Sequence, residues 1–224
     1  MREFSFVRTL LRRLGPWAEV AVVIGICLGW SIFESVWDSA MRRPLLPFGE
    51  GDVLVLAAFE LGAGLLAGGF LALRGWSWGA FNVRVSWRTT AGGLLLVLGS
   101  YASFIAGATV VAMTPGGEDL LKALPDVQGV SIPVAALGAV VNGCFEELVL
   151  VGYVFRVLES QGLGIAMGAS VLLRVLMNVS QGPLGATGIL LLGILYGVIY
   201  WDYRQLWPLM LAHVILDFLG LARF

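Results

Sequence analysis

The fold class predicted for this chain is all-α: a polytopic transmembrane helix bundle of about seven spans. Composition is the first reason. With 58% hydrophobic residues, 13% charged residues and 30 glycines, and a mean hydropathy of +0.89, the chain falls outside the range of soluble domains. Segmentation is the second. A span needs about 20 mostly apolar residues, and seven segments come near that: 16–37, 53–73, 90–113, 131–156, 163–179, 184–201 and 205–222. The third reason is the backbone, because hydrocarbon leaves the amides of a lone strand unsatisfied and so each span must be a helix. No internal repeat, low-complexity tract or second domain interrupts the pattern, so residues 1–224 read as a single membrane domain.

The basic N-terminal stretch runs into the first apolar segment without a small-residue cleavage pattern, so that segment reads as a retained span. Arg2, Arg8, Arg12 and Arg13 precede it, and Arg74, Arg84 and Arg88 lie between the second and third spans. The alternate loops carry Glu50, Asp52, Glu118, Asp119 and Asp126. The positive-inside rule therefore places the N-terminus in the cytoplasm, and the expected location is a bacterial or archaeal inner membrane. Residues 75–89 mix Trp with Arg as a headgroup-level segment does. The acidic loop 114–130 has room for a short outer helix at 118–124.

Several function classes drop out. A formal charge of −1 and the absence of interleaved basic and aromatic clusters give no nucleic-acid footprint. Cys27 and Cys144 lie in apolar runs and read as packing residues rather than a disulfide framework. With His213 as the one histidine and no HExxH pattern, no protein-bound metal and no cofactor is expected. A Ser–His–Asp arrangement around His213 and Asp217 is disfavoured, because two groups on one helix face do not aim a histidine at a distant serine, and no GxSxG exists.

What demands explanation is a set of polar side chains inside hydrocarbon. Each ionisable group near the bilayer centre costs about 2.5–3.5 kcal/mol on insertion and is by default a candidate functional residue. They are Glu60, Glu146, Glu147, Arg174, His213 and Asp217, with Asn142 and Asn178 as uncharged companions and Glu19 and Glu34 near span ends. Residues four apart share a helix face. Asn142 with Glu146, Arg174 with Asn178, and His213 with Asp217 thus give three spans one polar face each. The simplest arrangement is a shared pocket; the structural alternative is a set of interhelical hydrogen bonds and an Arg–carboxylate pair. Glu60, alone on its span beside Gly62 and Gly64, reads as an interhelical hydrogen bond. A glutamate in an apolar pocket suits general acid or base work.

These residues resemble the motifs of the CPBP family, the intramembrane CAAX-protease and bacteriocin-processing proteins also called the Abi family. Its three motifs, EExxxR, [F/R]xxxH and HxxxN or HxxxD, have counterparts in Glu146-Glu147 with Val151, in Arg174 with Asn178, and in His213 with Asp217. Asn178-Val-Ser-Gln-Gly-Pro183 looks like the family's HLYQGP turn, and Trp207-Pro208 like the lead into its third motif. The resemblance covers about residues 130–222. It implies an intramembrane glutamate-dependent endopeptidase acting on a peptide or membrane-protein tail within the lipid bilayer. Glu146 would activate a water, Glu147 would be its orienting neighbour, and His213 with Asp217 the oxyanion-side pair. Asn178 would stand in the water-activating place, with Asn142 supporting.

Two departures separate this chain from the pattern: Val151 replaces the motif arginine, and Asn178 the motif histidine. An amide can hydrogen-bond a water but cannot exchange a proton with it as imidazole does. Arg174, on the facing helix, is the candidate substitute for the missing arginine. The departures also support an alternative, a catalytically impaired or inactive relative that binds a peptide in an immunity, chaperone or regulatory role. A proton-coupled carrier is the third class, and the lack of an inverted repeat counts against it. On these span limits Glu146 lies nearer the cytoplasmic end of its helix and Asn178 nearer the outer end of its own, a mismatch of about 10 Å. A bend at Asn142–Gly143 or a deeper start of the fifth helix would close it.

Overall fold

The computed structural model describes residues 13–44, 46–117 and 127–222. The short helix expected at 118–124 lies outside them, as do Arg2, Arg8 and Arg12. The first expected span is two helices, α1 (Pro16–Cys27) and α2 (Gly29–Ala40); the second and third are α3 (Glu50–Arg74) and α4 (Trp87–Ala112). The fourth is α5 (Ile132–Glu146), which continues through a π-helical segment (Glu147–Tyr153) into α6 (Val154–Leu158). Then come α7 (Leu163–Asn178), α8 (Gly182–Tyr203) and α9 (Trp207–Ala222). Among the described residues the only sheet is a two-residue parallel pair, Phe48–Gly49 against Val127–Gln128.

Local signals fix the ends. The Gly49 amide donates to Asp52 Oδ2 at 2.9 Å before α3, and Gly75 closes that helix at φ 99°, a left-handed turn that glycine adopts without penalty. Ser86 caps α4 by accepting from the Thr89 amide at 3.2 Å, which satisfies an amide with no partner inside the helix.

The all-α membrane architecture agrees with the sequence, but the span count differs. Four helical runs are long and apolar enough to cross a membrane, or five if α1 and α2, bent by 71° at their break, form one span. The remaining difference lies in two places. Helix α9 has only 16 residues, and the fifth and sixth expected spans are one helical run of 41 residues, Leu163–Tyr203. That run doubles back on itself. A Cβ added to Gly193 of α8 would touch Val171 and Arg174 of α7, and one added to Gly197 would touch Met167. The reversal occurs in the 3-10 turn Val179–Gln181 and at Gly182, whose φ is 75°.

Close backbone approach brings the polar helices together. A Cβ on Gly143 of α5 would stand 2.8 Å from the Val214 amide nitrogen of α9, and one on Gly107 of α4 would stand 2.9 Å from the Gly188 nitrogen of α8. Small residues let membrane helices approach in this way. No bend occurs at Asn142–Gly143: α5 is regular to Glu146, and Gly143 serves interhelical contact. Gly143→Ala should therefore force α5 from α9 and cost roughly 1–3 kcal/mol. A lowered unfolding temperature in detergent, with further loss for Gly143→Val, checks it.

The ends of the bundle differ in charge. Arg74 pairs with the buried Glu19 at the start of α1, and the Asn82 amide group donates to the Arg204 carbonyl at the α8–α9 turn. Arg204 in turn reaches Glu159 at 3.0 Å. The Trp/Arg segment 75–89 is partly drawn into this end. Phe81 is buried and Trp76 stacks on it and against Tyr153, whereas Trp78 and Trp87 are exposed.

Candidate functional site

Two consecutive residues on an α-helix point about 100° apart, so the adjacent glutamates cannot share one environment. Glu147 opens the π-helical segment and is fully buried, while the Glu146 side chain keeps 13% exposure. π-Helical turns occur often at functional positions. Here the widened turn begins at the residue with the densest charge contacts.

Arg174 Nη2 donates to Glu147 Oε1 at 2.7 Å, and Arg174 Nη1 lies 3.5 Å from Glu146 Oε2. His213 Nδ1 stands 2.7 Å from the same Glu147 oxygen. An ionised carboxylate only accepts, so Nδ1 carries a proton and donates. The other ring nitrogen, Nε2, faces Asp217 Oδ1 at 3.5 Å. Asn142 Nδ2 donates to Asp217 Oδ2 at 2.7 Å. One connected chain of polar contacts thus runs from α7 through the α5 end to α9, with Glu147 as its hub. Arg174 occupies the place beside Glu147 that Val151 leaves empty of charge. Val151 itself is 1% exposed and packed in the apolar core.

Asn178 does not join this chain. Its amide donates to the Arg174 carbonyl at 2.9 Å and its oxygen accepts from Gln181 Nε2 at 2.8 Å, so it ties off the last turn of α7. Arg174, one turn earlier, is the α7 residue that meets the glutamates.

Three supporting residues were not singled out from the sequence as parts of the site. Tyr196 of α8 is fully buried, with its ring 5.7 Å from the Arg174 guanidinium carbon, and its hydroxyl lies 3.1 Å from Ser100 Oγ of α4. Arg174 is thereby held between carboxylate and ring. A tyrosine and a serine within apolar spans are the signals that point to them. The third is Glu60. Read as an interhelical hydrogen bond, it instead has its Oε2 buried with no hydrogen-bond partner and lines a cavity of about 430 Å³ with Asn142, Gln181 and Asp217. Among the described residues no group of three or more His, Cys, Asp and Glu is arranged to hold a metal ion.

Chemically, the cluster offers a carboxylate with some access, Glu146, next to a carboxylate immobilised by two cationic donors, and an imidazole whose orientation is fixed from behind. Such a constellation can accept a proton from water at one point and donate hydrogen bonds to a developing anion at another. Comparison with curated proteins and with solved structures gives no match. A family match does exist: residues 128–219 correspond to the family described as Type II CAAX prenyl endopeptidase Rce1-like. That stretch, which is similar to the family over 128–219, contains Asn142, Glu146, Glu147, Arg174, Asn178, His213 and Asp217.

Proposed function

We propose that this chain is an intramembrane endopeptidase that hydrolyses a peptide bond in a peptide or membrane-protein tail, with Glu146 as general base. The observation that carries the reading is the convergence of Glu146, Glu147, Arg174, His213 and Asp217 on contacting faces of α5, α7 and α9. Glu146 takes the proton of the attacking water and returns it to the leaving amine as the tetrahedral intermediate collapses and the C–N bond breaks. Glu147, fixed by Arg174 and His213, holds the imidazole so that in the cationic ring, protonated on both nitrogens, Nε2–H can donate to the tetrahedral oxyanion. Asp217, braced by Asn142, orients that side of the ring. The N-terminus faces the cytoplasm in this reading, supported by Arg13, Arg74, Arg84, Arg88 and Arg204 at the α1, α3 and α8 end against Arg42 and Arg43, accompanied by Asp38, Glu50 and Asp52, at the other.

Catalysis proceeds without a second general base at position 178. The Asn178 side chain is occupied by Arg174 and Gln181, so an imidazole placed there starts one turn beyond Arg174, the α7 residue that reaches Glu146. Asn178→His should accordingly change cleavage by less than about tenfold, below the roughly 10²-fold at which general acid–base participation begins; a gain of that size in turnover would show that the position reaches the water.

A second reading, a peptide-binding relative with little turnover, draws on the same engagement of Asn178. Incubating purified protein in lipid nanodiscs with a panel of membrane-tethered peptides separates the two. A peptidase gives defined products that His213→Ala abolishes. A binding protein gives no product from wild type, and its peptide binding survives Glu146→Gln.

A further inference from the structure

The cavity beside the carboxylate cluster has a graded lining. Along α3 its wall runs Val53, Leu56, Ala57 and Glu60; along α5 it runs Gly138 and Asn142; along α9, from the helix end inward, it runs Leu221, Gly220, Asp217 and Leu216. On α3 and α5 the polar residue is the deepest of these, on α9 Asp217 sits between Gly220 and the deeper Leu216, and apolar residues line the approach. Phe48 and Val127, from the short strand pair, frame the end away from the arginine-rich side. Glu60 lies seven residues inside Val53, about 10 Å of helix, and Glu146 is the next turn beyond Asn142 on the same face.

The floor is short of positive charge. Glu60 and Asp217 bring two carboxylates to the lining, while Arg174, ion-paired to Glu146 and Glu147, and His213, in contact with Glu147 and Asp217, do not line it. Glu60 lies within electrostatic reach of Glu146, Asp217 and His213. It is only 4% exposed, and its Oε2 has no partner. A buried acceptor without a partner, on a residue that lines a cavity, calls for a donor. Apolar walls over an acidic floor match a long side chain with a hydrocarbon stem and a cationic head.

We infer that this cavity is a specificity subsite for a lysine or arginine side chain of the peptide, with Glu60 and Asp217 receiving the cation one turn from Glu146. The inference rests on the peptidase reading for its placement beside a scissile bond, whereas the cation site itself can be tested without turnover. Glu60 is then a specificity-determining residue that the family motifs do not contain, and Asp217 has a double duty, toward His213 and toward the substrate.

The test uses the full chain in nanodiscs and two peptides that differ only in lysine against norleucine near the scissile bond. Binding is measured in the Glu146→Gln background, and cleavage in the otherwise unaltered protein. The lysine peptide should bind about tenfold or more tightly than its norleucine twin, and Glu60→Gln should erase that preference, chiefly through KM. Because a buried substitution can disturb folding, a variant-free arm accompanies it: n-pentylammonium should compete with the lysine peptide, and n-pentanol at equal concentration should not. Equal binding of the two peptides, or equal competition by ammonium and alcohol, overturns the subsite and leaves the peptidase reading intact. Lysine preference that depends on Glu60 in a protein that cuts nothing supports the subsite and removes the peptidase reading instead.

Discussion

Arg174→Met lowers stability by roughly 3–5 kcal/mol, the cost of stripping one partner from a buried ion pair and leaving the other uncompensated. The guanidinium is 1% exposed, lies 2.7 Å from Glu147 and 3.5 Å from Glu146, and rests on the Tyr196 ring. Methionine fills much of the volume but none of the charge, so two carboxylates face each other across the end of α5. Glu147→Gln costs a similar amount, since it releases both Arg174 and His213. The double variant should cost clearly less than the two singles summed, because residues in one ionic network couple. Denaturant or thermal unfolding of the four proteins measures that coupling. Additive losses would mean that the pair contributes nothing as a pair. Val151→Arg should not act as a repair in the wild-type background. Position 151 is packed and its carboxylate partner is already taken, so a second guanidinium overpacks the core.

Glu146→Gln has the opposite profile. The Glu146 carboxylate makes no ion pair closer than the 3.5 Å contact with Arg174 and retains some exposure, so the neutral amide fits in its place with little loss of stability. What it loses is the ability to take a proton from water. General-base participation is worth about 10²–10⁴-fold, and cleavage should fall by that factor while the unfolding temperature stays within a few degrees of wild type. Glu146→Asp, which keeps the charge but withdraws it by one methylene, should retain part of the rate.

Much of this site could be read from residue types and spacing, because intramembrane charges are costly and few. The paired glutamates, Arg174 opposite them, and His213 with Asp217 one turn apart were all visible as polar faces on apolar spans. The missing motif arginine and its replacement from the facing helix could be posed as a question of charge balance. Other features were not legible, for physical reasons. A π-helical turn at Glu147 and the 71° break between α1 and α2 depend on tertiary packing, and hydropathy records only the length and apolarity of a segment. Depth along the helix axis is likewise absent from four-residue spacing. Asn178 therefore seemed to share the face that meets the glutamates, whereas Arg174 alone reaches them. Glu60 was misread because a lone glutamate on a glycine-rich span carries no sign of whether its neighbour is a donor or a cavity. Tyr196 and Ser100 required the hairpin of α7 and α8 to be known before they could be placed.

The adjacent glutamates divide their duties, one held in place and one left able to react, and a single comparison addresses that division. Glu146→Gln and Glu147→Gln are prepared in the same nanodiscs, with unfolding temperature and single-turnover cleavage of one peptide recorded for each. The division predicts a stable, inactive Glu146→Gln protein and a clearly destabilised Glu147→Gln protein. Wild-type cleavage by Glu146→Gln, or wild-type stability in Glu147→Gln, would contradict it.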